Sequence, residues 1–471
     1  MSLEYCVLTD GSVVQAVDIR AKYALSIFQT DLFYDVCEVL ARRHRLEGVD
    51  HKVLVNLYAL KSSRVKDIAA LVYYVSEHLY DVAEVHGRDD SIFVLRALVG
   101  TDALSIHSVG DAPGSHVERS ARLSIAMKII FHRVFRLIPS RVRTSDTVVR
   151  GWVDVTEAMY PEEVFESTLM LYPFPYGVAR QFRFFRSMRR RGAKVKFVGL
   201  PYPFISLARL LLGGNKLDAH IVRLETLAYQ RYARELIAMG VREVRTSDEF
   251  EVGAVAMYER LMDGGVEVVN TAHGVGLYSP YVAYSEFKGV NIAQSNFYRQ
   301  RCPRMNPGLR RSKNSTLPLA SADAARNLPP AIVLLDQNFM VFNCVAEAEA
   351  LAETQRLLEA FCTSAKLPLF IKIHPNSAPT EQSDHVRQVR DWADLAGYRP
   401  VFVTINSTAF YDVQGYGPIL VCDEPSFLPV IYFGEDLLVY RFDTLATMLE
   451  NLISENAWWS AASRHMPIAG D

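Results

Sequence analysis

Two short apolar runs in this chain stop abruptly at small polar residues: Phe370-Ile371-Lys372-Ile373-His374-Pro375-Asn376-Ser377 and Thr404-Ile405-Asn406-Ser407-Thr408. The proline behind His374 removes a backbone donor and restricts the histidine to extended geometry, so the strand must end there. An imidazole at that edge can donate to a departing phosphate or neutralise the charge that develops on it. Lys372, Pro375 and Asn376 surround it with further donors and a fixed bend. Ser407 and Thr408 precede a helical stretch through Ala409-Phe410-Tyr411, where hydroxyls and backbone N–H groups suit an anion; an ordinary helix cap uses the same residue types.

Two more groups lie earlier. Asp248 and Glu249, in Thr246-Ser247-Asp248-Glu249-Phe250, follow an apolar run and include a carboxylate able to take a hydroxyl proton. Two adjacent acids cannot face the same way on regular backbone, so only one can serve, and both also suit the start of a helix. His273-Gly274-Val275-Gly276 follows another apolar run, with glycines that permit close backbone approach to a ligand. His273 is a second candidate base, and Gly274 and Tyr278 are candidate ligand contacts.

The elements that must hold these groups alternate in type. Strands are expected at Phe165–Leu171, Ala193–Val198, Val241–Arg245 and Val266–Asn270, with helices to Arg191, over 217–239 and through Met257–Leu261. The stretch 303–330, with its prolines and a basic run at 310–315, reads as a linker. Beyond it strands are expected at Ala331–Leu335, Leu367–Ile373, Val401–Ile405, Ile419–Cys422 and Leu437–Tyr440, with helices over 345–364 and 381–395. This alternation predicts an α/β protein of two doubly wound halves, residues 1–320 and 321–471. The first 150 residues read as an extension or small subdomain, with strand-like runs at Lys52–Leu57 and Ile92–Leu98.

Composition narrows the partners. The 471 residues carry a net charge of -2, half are hydrophobic and 22% are charged, so a packed globular chain without a global field for nucleic acid is expected. The six cysteines are scattered without a Cys-x-x-Cys pair, which disfavours a zinc ribbon or disulfide framework. No export signal or ~20-residue apolar span is visible, and a cytoplasmic protein is expected. No Asp-x-Asp, His-x-x-x-His or Gly-x-x-x-x-Gly-Lys spacing occurs, so neither a metal nor a phosphate-binding P-loop is expected. The charge stands out locally. Arg180, Arg183, Arg186, Arg189, Arg190 and Arg191 interleave with Phe182, Phe184 and Phe185, and a second basic run spans Lys128 to Arg143. Such stretches are mostly solvated faces, but they can also touch anionic glycans or the inner face of a membrane.

The strand ending in Lys372-Ile373-His374-Pro375, with Ser407-Thr408 downstream, resembles the GT-B glycosyltransferases that build bacterial surface polysaccharides. That group includes sialyltransferases, polysialyltransferases, Kdo transferases and CDP-glycerol polymerases. The resemblance covers residues 160–450. It implies two Rossmann-like domains facing a central cleft, and metal-independent inverting transfer from a cytidine-activated sugar such as CMP-sialic acid or CMP-Kdo, without a further cofactor. By the same resemblance Lys372, His374, Pro375, Asn376, Ser407 and Thr408 bind the donor. Asp248 or Glu249 matches the acidic pair of the sialyltransferases, without the glycine that follows it there. His273-Gly274 matches the CDP-glycerol enzymes. The acceptor implied is a glycan or lipid-linked glycan in capsule or lipopolysaccharide synthesis, contacted by Gly274, Tyr278, Arg183 and Arg186. A glycerol- or sugar-phosphate transferase, a non-catalytic nucleotide- or glycan-binding protein and an epimerase remain alternatives.

Overall fold

A computed structural model describes residues 4–45, 48–100, 104–110, 119–138, 142–151, 155–172, 178–203, 217–248, 251–272, 274, 276, 279–310, 317–337, 339, 345–373, 386–425 and 427–462. By packing the chain forms two units, Met1–Arg20 with Phe28–Arg310, and Ala21–Ile27 with Arg311–Asp471.

The first unit opens on a four-stranded sheet of β1 (Tyr5–Leu8), β2 (Val13–Gln15), β3 (Val82–Gly87) and β4 (Ser105–Ser108), in the order β2-β1-β3-β4. Cys6 and Val85 are completely buried on one face of it. Helices Asp31–Arg43, His51–Lys61, Ser63–Glu77 and Asp89–Leu98 belong to this part. It is tied to the rest of the unit by the buried Asn56, whose Nδ2 donates to the Tyr281 carbonyl at 2.9 Å and whose Oδ1 accepts from the Tyr281 N–H at 3.0 Å.

The main sheet of the unit holds β5 (Thr147–Gly151), β6 (Thr168–Leu171), β7 (Lys194–Phe197), β8 (Glu243–Thr246), β9 (Glu267–Thr271), β10 (Glu286–Gly289) and β11 (Asn306–Leu309). All its pairings are parallel, in the order β11-β10-β9-β8-β5-β6-β7. Counted from β5, that is the 3-2-1-4-5-6 order of the Rossmann fold with one added edge strand.

The second unit repeats the plan. β12 (Pro330–Leu335), β13 (Leu369–Lys372), β14 (Val386–Val389), β15 (Arg399–Thr404), β16 (Ile419–Cys422) and β17 (Leu438–Tyr440) run parallel in the order β14-β13-β12-β15-β16-β17, again 3-2-1-4-5-6. All six residues of β15 are buried, as in a strand covered on both faces. The buried Trp458 indole donates to the Pro400 carbonyl at 2.8 Å, anchoring the helix Glu455–Ala462 to that sheet. The protein is therefore α/β, with two Rossmann-like halves and an N-terminal α/β extension.

Several local expectations are corrected. Lys52–Leu57 and Ile92–Leu98 lie in helices, His51–Lys61 and Asp89–Leu98, not strands. Residues 53–59 are all buried, and a helix covered on every side shows the same unbroken apolar run as a buried strand. The start is set by Asp50, whose side chain accepts from the Val53 N–H at 3.2 Å. The helix expected over 381–395 is instead β14, followed by a 3-10 turn at Trp392–Leu395; residues 381–385 lie outside the described residues. The linker contains β11, where Pro307 and Gly308 are accommodated because it is an edge strand.

Candidate functional site

In open α/β sheets ligands bind at the carboxyl ends of the strands, where the strand order reverses. In the second unit that point lies between β12 and β15. Leu335 pairs with Lys372 on one side and Thr404 on the other, so those two residues stand two strand spacings apart, roughly 9–10 Å, at one sheet edge. The two sequence motifs therefore leave the same edge, on either side of β12.

Lys372 is partly buried. Its ammonium donates to the Arg390 carbonyl at 2.8 Å and lies 4.9 Å from the Trp392 ring centroid. Burial lowers its pKa, with Asp391 and Asp412 acting in the opposite sense. Asp412 ends the helix after Thr408, so the lysine senses the second motif. In that motif the Ser407 N–H donates to Thr404 Oγ1 at 3.0 Å, and Ser407 Oγ accepts from the Ala409 N–H at 3.4 Å. Thr408 occupies the cap position but makes no side-chain cap bond. The Asn406 side-chain oxygen is buried without a hydrogen-bond partner among the described residues. The helix Ala409–Asp412 is only four residues long, so its dipole is small and any hold on an anion must come from the turn's own donors and the lysine. His374, Pro375 and Asn376 lie outside the described residues; Ile373 just before them is buried and bonds through its N–H to Val389 at 3.1 Å.

In the first unit the order reverses between β5 and β8, and a completely buried ion pair sits there. Arg150, near the end of β5, and Asp248, two residues past β8, are both completely buried and ion-paired. A second arginine nitrogen holds Glu251 at 2.8 Å, and Arg150 also donates to the Tyr258 hydroxyl at 2.7 Å. Tyr258 in turn donates to Asp248, and Tyr229 to Glu251. The guanidinium lies 3.8 Å from the centroid of the Tyr172 ring. Burial works against its charge, but Glu251 and the surrounding tyrosines outweigh it and raise the arginine pKa. Asp248 thus knits β5 to β8 and is closed to solvent. Glu249 lies outside the described residues.

Around this ion pair the same edge carries buried polar atoms without a hydrogen-bond partner among the described residues. They are the Tyr172 hydroxyl after β6, Ser247 Oγ after β8 and both side-chain polar atoms of Asn270 on β9. Native proteins satisfy nearly all such atoms, so a row of them at a sheet edge marks a place for water or ligand.

His273 and Tyr278 lie outside the described residues, but the chain around His273 is held on both sides. The Arg310 guanidinium donates to the Ala272 carbonyl at 3.1 Å. The amide of the fully buried Gln294 donates to the carbonyls of Gly274 and Gly276, at 3.0 Å each. Its oxygen accepts from the Val290 N–H at 2.8 Å. Arg150, Tyr258, Glu251 and Gln294 were not singled out from sequence. An arginine inside the otherwise apolar Thr147–Gly151 run was the available signal, because a buried cation requires partners.

Arg183 and Arg186 lie on the helix Val178–Arg190, not at the strand edge. With Ser187, Arg190 and Arg191 they line a surface groove of about 510 Å³. The second basic run behaves differently. On the helix Arg119–Arg136, Lys128 is tied to Glu225 at 3.3 Å, Arg133 to the Tyr202 carbonyl at 2.7 Å and Arg136 to Glu235 at 2.7 Å. Beside Ser124 and Arg136, this helix and its end expose the apolar Leu123, Met127, Ile130, Val134, Leu137 and Ile138 among the described side chains. No helix of the described residues is long and apolar enough to cross a membrane.

Comparison with family models and with curated protein sequences finds no match. Among solved structures the chain is similar to spinosyn forosaminyltransferase SpnP, at 12% identity and a TM-score of 0.39 over 69% of this chain and 94% of that one. It is also similar to the UDP-GlcNAc 2-epimerase of Methanocaldococcus jannaschii, at 10% identity and 0.34 over 68% and 97%. A third is the glycosyltransferase SnogD of Streptomyces nogalater, at 10% and 0.27 over 68% and 92%. Likeness at this level bears on neither substrate nor activity, and the two Rossmann-like halves rest on strand order and register alone.

Proposed function

We propose that the protein is a metal-independent, inverting GT-B glycosyltransferase that uses a cytidine-activated sugar, of the CMP-sialic acid or CMP-Kdo kind, to extend a bacterial surface polysaccharide. The observation that carries this reading is the shared sheet edge of Lys372 and the Asn406-Ser407-Thr408 turn, at the reversal of strand order in a Rossmann-ordered sheet. Phosphates bind at such points. In this reading the C-terminal half takes the donor, His374 supports the departing phosphate, and Lys372, Pro375, Asn376, Ser407 and Thr408 hold it. The N-terminal half takes the acceptor, with its row of unsatisfied polar groups meeting sugar hydroxyls.

Thermal denaturation of the full chain with a panel of nucleotides tests the donor assignment. Stabilisation by CMP or CDP, and not by UDP or GDP, is expected. A chain that no nucleotide stabilises refutes a transferase of this type, whereas a uridine preference changes the donor alone.

One observation favours a second reading, transfer of a glycerol- or sugar-phosphate unit from a CDP-linked donor with His273 as base. A base must reach the proton it removes, and Asp248 is sealed in its pair with Arg150. The loop bearing His273 has its carbonyls fixed by Arg310 and Gln294, which suits a group that must be aimed. Replacing His273 and Asp248 separately distinguishes the two. The group whose loss ends turnover while nucleotide binding persists is the base.

The exposed apolar row of Leu123 to Ile138, with Arg183, Arg186 and Arg190 exposed on the helix Val178–Arg190, suits docking to an anionic membrane that carries a lipid-linked acceptor.

A further inference from the structure

The four-stranded sheet at the start of the chain carries a cluster that transfer chemistry does not use. Glu84 and His86 are two residues apart on β3, so their side chains share a face of the strand. His107 on the neighbouring parallel strand β4 is the register partner of His86. Glu84 Oε2 lies 3.0 Å from His86 Nε2 and 3.6 Å from His107 Nε2, and all three ligand atoms fall within 4.8 Å of one another. The two imidazoles stack at 4.6 Å, and Tyr5 on β1 stacks on His86 at 4.3 Å, limiting where that ring can turn.

We propose that Glu84, His86 and His107 form a binding site for a divalent transition metal, Zn²⁺ by preference. Metal–nitrogen and metal–oxygen bonds of ~2.0–2.2 Å at tetrahedral angles separate neighbouring ligand atoms by about 3.4 Å. The two glutamate–histidine separations, 3.0 and 3.6 Å, bracket that value. Two imidazoles and one carboxylate suit zinc, nickel or copper better than magnesium or calcium, which prefer all-oxygen sets. Three protein ligands leave the fourth position to water or a further ligand. The opposite face of β3 and β1 is core, with Val85 and Cys6 fully buried, so the metal would sit on the outer face. It would clamp β4, an edge strand of four residues, onto β3.

The test uses the full chain stripped of metal with a chelator and titrated with Co²⁺, followed by Zn²⁺ competition. One equivalent is expected to bind with the absorption of a nitrogen–oxygen cobalt site, and added Zn²⁺ is expected to raise the melting temperature. His107→Ala and Glu84→Gln each should weaken binding at least about tenfold. His78→Ala, which removes a half-exposed histidine elsewhere, should leave it unchanged. His107 is half exposed, so its variant should keep the far-ultraviolet circular dichroism and melting temperature of the metal-free parent. Absence of saturable Co²⁺ binding, or equal binding by parent and the His86→Ala/His107→Ala double variant, overturns the proposal.

Discussion

Arg150 and Asp248 form an ion pair between neighbouring parallel strands, with neither side chain exposed to solvent. Because the carboxylates of Asp248 and Glu251 share one guanidinium, removing Arg150 leaves two carboxylates without their cation, whereas removing one acid leaves the arginine paired with the other. Asp248→Asn should therefore cost about 2 kcal/mol, the loss of a charge-assisted hydrogen bond, read from urea denaturation. Arg150→Met should cost at least as much alone and less in the Asp248→Asn background. Additive losses in the double variant would show that the two side chains do not act together.

The buried His132 makes a different demand on pH. Its Nδ1 accepts from the Leu200 N–H at 3.0 Å, and burial, with Lys128 and Arg150 adding, holds its pKa well below the usual 6.5. The unfolded chain takes up a proton at this residue as pH falls below ~6.5, while the folded one does not, so stability declines there by up to about 1.4 kcal/mol per pH unit. His132→Gln, which can still accept from Leu200, should flatten the decline between about pH 6.5 and 5 in denaturation midpoints. An unchanged slope would assign the loss to other groups.

Gln294 offers a way to loosen the His273 loop without touching the histidine. Under the transferase reading Gln294→Leu should lower kcat roughly tenfold to a hundredfold while leaving nucleotide affinity near that of the parent. A parallel loss of nucleotide binding would mean that the substitution disturbs more than the loop.

At the motif of the second unit, Thr408 is not engaged in capping, whereas Ser407 accepts from Ala409. Thr408→Ala should then weaken nucleotide binding, measured calorimetrically, by roughly fivefold to tenfold with little change in stability, since one lost hydrogen bond is worth about 1 kcal/mol. Ser407→Ala should lower both. Equal behaviour of the two variants would argue against a nucleotide at this turn.

Docking through the helix Arg119–Arg136 can be read from sedimentation with vesicles. Binding to vesicles rich in anionic lipid is expected, weakening with salt. Met127→Glu with Val134→Glu should abolish it without destabilising the protein, since both side chains point outward. Binding that survives these changes would place the contact elsewhere.

Every strand of the second unit's sheet but β14 was legible, as an apolar run bounded by glycine, proline and small polar residues; Ile419–Cys422 is observed with the bounds expected, whereas β14, with its polar Arg387 and Gln388, was read as part of a helix. The runs at Lys52–Leu57 and Ile92–Leu98 carried the same apolar signature and belong to helices, since composition alone cannot separate a buried helix from a buried strand. Of the charged core of the first unit only Asp248 was singled out, and its pairing with Arg150 was not legible. Arg150 and Glu251 stand 101 positions apart, and only the β5–β8 pairing brings them together. The zinc-type cluster escaped for a related reason, because Glu84 and His86 show a spacing but His107 arrives from another strand.

Residues Ala21–Ile27 pack with the second unit although the chain on both sides of them belongs to the first. Ser26 accepts from the Leu428 N–H at 3.2 Å, a partner synthesised 402 positions later. During translation this heptapeptide leaves the ribosome long before its binding surface exists. The C-terminal half can reach its final form only once nearly the whole polypeptide has emerged. Expressed alone from residue 311, that half would lack one of its own pieces, and supplying the missing peptide in trans should restore some of the lost stability.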